Sequence, residues 1–164
     1  MKKTVLSIIV PIFGLLMAWV SCVTKKMPEA ELVGIRYSNM GMIARPIYEG
    51  EMTKNENGEM VLRAMKESYG PLFEKRLTKE EVQHFREIIE EEKMYAYKER
   101  YLPSVTVFDG EMWGFDADFA DGSSIGSHGS NAWPKGNGLG RIRSYMEELV
   151  HDGVQIEFPE EELY

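Results

Sequence analysis

The chain is poor in cysteine, histidine, basic residues and long apolar runs. Of its 164 residues one is cysteine, Cys22, and three are histidine: His84, His128 and His151. A single cysteine excludes an internal disulfide and a zinc site of paired cysteines, so the fold must be held by its core alone. Lys and Arg number 19 against 27 Asp and Glu, a net charge of −8. Such a surface repels phosphate backbones, and no nucleic acid partner is expected. No internal repeat and no low-complexity segment is evident. No P-loop or dinucleotide fingerprint occurs, and no cofactor is expected.

The one long apolar run stands at the start. Lys2 and Lys3 precede a sixteen-residue stretch from Val5 to Val20, followed by Ser21 and Cys22. Sixteen helical residues span roughly 24 Å, short of the ~30 Å hydrocarbon core, and Pro11 and Gly14 interrupt the run. A charged start, an apolar middle and a small residue before a cut site describe a secretory signal. Ordinary cleavage would place Trp19 where a small residue is wanted. Trp19-Val20-Ser21-Cys22 resembles the relaxed lipobox of lipoproteins from gut Bacteroidetes, with Trp19 in place of the usual Leu. That resemblance implies removal of residues 1–21 and attachment of fatty acyl chains, palmitate among them, to Cys22. It also implies a lipid-anchored protein of the cell envelope. Several acyl chains meet the need for more than one anchor at ~0.8 kcal/mol per buried CH₂. Cleavage would leave 17 basic and 27 acidic residues, a net charge near −10.

Residues 22–30 read as the lipidated cysteine and a tether, and residues 31–164 as one domain, long enough for a hydrophobic core. The absence of an acidic run after Cys22 tilts the expected location toward the periplasmic face. The stretches Leu32–Tyr37, Ile43–Met52 and Met60–Met65 are strand-like, and Asn57-Gly58 signals a hairpin turn. Thr78-Lys79-Glu80-Glu81 is a capping box. Val82, Phe85, Ile88 and Ile89 follow at helical spacing, predicting a helix from about Lys79 to Lys93. Val105–Phe108 leads into Asp109-Gly110 as a further strand. Trp113, Phe115, Ala117 and Phe119 alternate with polar residues up to Asp121-Gly122. Leu139, Ile142, Met146, Leu149 and Val150 predict a second helix, capped by Asn137 and stopped by a left-handed Gly153. Val154–Phe158 suggests a last strand. The expected fold is α+β: an antiparallel sheet built from hairpins, with two amphipathic helices packed on one face, in the order strands–helix–strands–helix.

The distinctive segment is Asp109 to Pro134, DGEMWGFDADFADGSSIGSHGSNAWP. Its DG-x-x-W, second DG and GSNA-x-P resemble a pattern in small secreted or lipid-anchored proteins of gut bacteria, a group that brings no known activity. Gly122-Ser123-Ser124-Ile125-Gly126 matches the G-x-S-x-G string of hydrolases. The string follows a hairpin turn instead of joining a strand to a helix, so Ser124 lacks the context of a nucleophile elbow. His128 reads as a residue of a small polar loop, with Ser124, Ser127 and Asp118 as partners in a hydrolytic set. Asp116, Asp118 and Asp121 lack the spacing of a calcium loop, and no metal site is expected. Gly136 to Gly140 precedes the second helix and matches no phosphate-binding fingerprint. Trp133, His128 and Asn131 are the candidate contacts for a glycan, a peptide or an envelope protein. The favoured reading is a non-catalytic binding or interaction module joined to the membrane through Cys22. The alternative is an envelope hydrolase using His128 with a nearby Ser or Asp.

Overall fold

The computed structural model describes residues 25–41, 46–105, 107 and 110–157. The stretch read as a signal, Cys22 and Asp109 lie outside the described residues. Strand β1 (Leu32–Met40) is followed by β2 (Pro46–Lys54), β3 (Met60–Met65) and β4 (Leu72–Arg76), then helix α1 (Lys79–Glu91). Next come β5 (Arg100–Tyr101), β6 (Met112–Phe119), β7 (Ser124–Ser130), helix α2 (Gly138–Leu149) and β8 (Val154–Ile156). The fold is α+β. All eight strands form one sheet, in the order β5-β7-β6-β1-β2-β3-β4-β8. Every pairing is antiparallel except that of β5 with β7, so the sheet is mixed.

β1 joins the two halves. It pairs with β2 on one side and β6 on the other, so the β1–β4 meander and the β6–β7 hairpin share one sheet. Alternation sets which residues are buried. In β6 Trp113, Phe115, Ala117 and Phe119 are buried, while Asp116 and Asp118 are exposed. Ile35 and Tyr37 of β1 and Tyr48 and Met52 of β2 continue this buried layer. The apolar stripes of both helices complete it: Val82, Phe85, Ile88 and Ile89 from α1, and Leu139, Ile142, Met146 and Leu149 from α2. Gly50 permits the closest approach, because a Cβ there would lie 2.4 Å from the Met146 sulfur.

The capping box forms as its sequence dictates. The Thr78 hydroxyl accepts from the Glu81 N–H at 3.2 Å, and the Glu81 carboxylate accepts from the Thr78 N–H at 2.8 Å. Lys75 of β4 donates to the same carboxylate at 2.7 Å, so Glu81 ties the sheet to the first turn of α1. The strand β4 itself was hidden by Glu74, Lys75 and Arg76, residues that strands ordinarily disfavour. Arg63 of β3 pairs with Glu74 across the ladder at 2.8 Å, which removes the penalty.

Several local expectations are corrected. The β2–β3 loop spans residues 55–59. The Asn55 side chain accepts from the Asn57 and Glu59 N–H groups, and Gly58 alone is left-handed. This differs from a two-residue Asn-Gly turn. Val105 and Val107 are exposed and outside any strand, while Thr106 and Phe108 lie outside the described residues. Asn137 stands at the start of α2 without a side-chain cap. Gly153 is extended at φ −71 and not left-handed. It is constrained by packing, since a Cβ there would lie 3.0 Å from the Glu74 carbonyl oxygen.

Residues 25–30, the stretch read as a tether, lie against the body. The Arg86 guanidinium donates to the Ala30 carbonyl at 2.6 Å and to that of Pro28. Lys25 donates from Nζ to the Tyr97 carbonyl at 2.9 Å, and Met27 and Ala30 pack on the core.

Burial alone would raise the Glu81 carboxyl, but Lys75 and the Thr78 N–H overcome it and hold it below its ordinary value. A carboxyl lowered by folding stabilises above its unfolded pKa, about 4.3, and loses that contribution as pH falls through the lower folded value. Glu81→Gln should therefore flatten the fall of the urea midpoint below about pH 4.3. Thr78→Ala should cost about 1 kcal/mol at neutral pH, read from the same urea titrations.

Candidate functional site

The β6–β7 hairpin carries most of the residues that the sequence singles out. Its turn is a three-residue loop: the Phe119 carbonyl accepts from the Gly122 N–H, and the Phe119 N–H donates to the Ser123 carbonyl. Gly122 supplies the left-handed residue, at φ +82, as this loop type requires. Asp121 accepts from both the N–H and the hydroxyl of Ser123, and those bonds hold its carboxyl below the usual range. Asp121 is thus a turn residue. The Gly122–Gly126 string runs from this turn into β7, where Ser124 is exposed.

His128 lies within β7 and not in a loop. The alternation of β7 separates it from Ser127. Ser127 is buried and donates to the Lys98 carbonyl at 2.7 Å, whereas His128 is exposed on the opposite face. Ser124 shares the His128 face but stands four residues away along the strand, about 13 Å. Asp118 is directly opposite Ser124, and His128 is opposite Gly114. The register therefore brings His128 near none of Ser124, Ser127 and Asp118. The acid nearest to it by register is Asp116, diagonally across the ladder and opposite Gly126. Burial, then Asp118, raise the Asp116 carboxyl, against the opposing pull of Arg36 and His128.

The exposed face carries a row of alternating charge. Asp116, Arg36, Glu51, Arg63 and Glu74 stand opposite one another in consecutive strands, from β6 through β1, β2 and β3 to β4. Signs alternate at every step. Glu51 bonds Arg36, raising the guanidinium pKa, and Glu74 bonds Arg63. Cross-strand pairs of this kind each contribute ~0.2–1 kcal/mol, which makes the row a structural ladder before it is anything else. Among the described residues no group of three His, Cys, Asp or Glu side chains converges on a metal position.

The GSNA-x-P pattern has an architectural explanation. Trp113 Nε1 donates to the Ala132 carbonyl at 2.8 Å, and its ring lies over Gly129, where a Cβ would be 2.5 Å from that nitrogen. Asn131 is left-handed at φ +49. Its Oδ1 accepts from the Glu111 N–H at 3.0 Å, and its own N–H donates to the Glu111 carbonyl at 2.9 Å. The Asn131 side chain lies where a Cβ on Gly110 would fall. Trp133 is 51% exposed beyond this lock. The glycine loop before α2 is likewise filled from within: Glu92 accepts from the Asn137 N–H at 3.3 Å and pairs with Arg141 at 3.0 Å. The chain's own carboxylate occupies the anion seat of that helix start.

A second region was missed by sequence reasoning. A groove of about 1210 Å³ opens between residues 29–32, the tip of the β2–β3 hairpin and the first turns of α1. Leu32, Met60, Leu77 and Val82 line it, together with side chains of both signs, among them Lys54, Lys79, Glu80 and Glu87. Arg86 also lines it and fixes the strap of residues 28–30 beside it. The available signal was Arg86 itself, a cation placed next to Phe85 in the middle of a largely acidic helix. Comparison with protein-family models, curated proteins and solved structures gives no match.

Gly129→Ala should destabilise the domain by about 1–3 kcal/mol, because the backbone of Ala132 and the Trp113 ring cannot both withdraw. Gly126→Ala, where the nearest atom is the mobile Asp116 carboxylate, should change stability by no more than about 0.5 kcal/mol. Parallel urea titrations of the two variants check this.

Proposed function

We propose that the chain is a lipid-anchored protein of the cell envelope, facing the periplasm, whose domain is a non-catalytic binding module. Residues 1–21 act as a signal and Cys22 carries the acyl chains; the charged start, the apolar run and the Trp19–Cys22 sequence support this reading. Two amphipathic helices cover one face of a sheet built from hairpins, and binding falls to the groove beside α1. The observation that carries the binding reading is this groove, lined by both apolar side chains and charged ones of either sign. An extended peptide segment suits it, since its apolar side chains can meet the apolar lining while its charged ones meet the charged lining. The separation of His128 from Ser124, Ser127 and Asp118 favours this over hydrolysis.

Cys22→Ala should abolish fatty-acid labelling and leave the precursor uncut by the lipoprotein peptidase. A photo-crosslinking residue at Gln83, in the groove, should yield a discrete adduct in intact cells, and one at His128 should not. An adduct from His128 alone would move the site to the sheet face.

A further inference from the structure

We infer that the domain rests on the membrane through a basic face at the C-terminal end of α1, so that the groove opens away from the bilayer. The inference rests on the proposed lipidation of Cys22. Cys22 precedes Lys25 by three residues, which span at most roughly 11 Å when extended. From Lys25 onward the strap is fixed to the body by Lys25 on the Tyr97 carbonyl and Arg86 on those of Pro28 and Ala30. Little free chain therefore separates the acyl chains from the surface around Tyr97.

That surface differs in charge from the rest of the molecule. Lys25, Lys26, Lys93, Lys98 and Arg100 are exposed there, against Glu90 and Glu99; Glu91 and Glu92 are paired with Arg141. In a chain with excess acid this cluster is the local exception. It suits an anionic head-group layer, to which clustered lysines and arginines are attracted within a Debye length. Tyr95 and Tyr101, half-buried beside it, have the amphipathic character that favours the interface. The groove lies along α1 from Lys79 to Glu87, toward its N-terminal end. The strap runs from Tyr97 past Arg86 to Leu32, and the helix is thirteen residues long, about 20 Å. An anchor at one end thus presents the groove at the other.

The test uses the full lipidated protein with single cysteines, Ala96→Cys or Asn57→Cys, each fluorescently labelled. Vesicles of phosphatidylethanolamine and phosphatidylglycerol would carry a nitroxide quencher on the head group. Both positions are exposed, one on the basic face and one on the β2–β3 loop beside the groove. The label at residue 96 should be quenched several-fold more strongly than that at residue 57. Equal quenching, or stronger quenching at residue 57, in protein that floats with the vesicles would overturn the orientation alone. Protein that neither floats nor takes up fatty acid would remove the anchor and the inference with it.

Discussion

The Arg86 guanidinium fixes the relation between the start of the chain and everything that follows. It sits beside the α1 stripe, stacks 5.8 Å from the Phe119 ring and donates to two strap carbonyls. Arginine suits this position because its planar fork serves two acceptors at once and keeps its charge when partly desolvated. A lysine would offer one point charge, and an alanine would leave the Pro28 and Ala30 carbonyls to water. The strap in turn forms a groove wall and delivers the chain to β1. The contact therefore shapes both the proposed binding region and the proposed distance from the membrane.

The sheet shows a second constraint. Its buried face is crowded enough that glycine is required where a helix or an indole approaches the backbone, at Gly50 under Met146 and at Gly129 under Trp113. On its other face glycines stand across from carboxylates, Gly34 opposite Asp118 and Gly126 opposite Asp116. Alternating charges across five strands give each carboxylate a cation opposite or beside it. The groove differs because its charges of both signs stand among apolar side chains.

Much of the architecture is legible in the sequence. The capping box, the α1 stripe and the alternation in β6 are local patterns whose geometry follows from period alone, and all three form. The elements that sequence missed depend on distant partners. β4 needs Arg63 and Glu81 to accept its charges, and β5 is two residues that exist only by pairing with β7. Glycine commonly ends helices in a left-handed turn, whereas Gly153 is constrained by the Glu74 backbone from another strand. The candidate site was least legible. Sequence proximity put His128 beside Ser127, and strand alternation puts them on opposite faces. The groove joins residues near 30, 60 and 80, a conjunction that only the folded chain displays.

The strap belongs to the folded domain because Arg86 holds it there. Methyl NMR of Met27 and Ala30 tests this most directly, comparing the protein with its Arg86→Ala variant. Both methyls should show contacts to the core in the unaltered protein. In the variant they should move to random-coil positions while the Ile88 and Ile142 methyls stay dispersed. Random-coil methyls in the unaltered protein, or methyls indifferent to the loss of Arg86, would contradict the account.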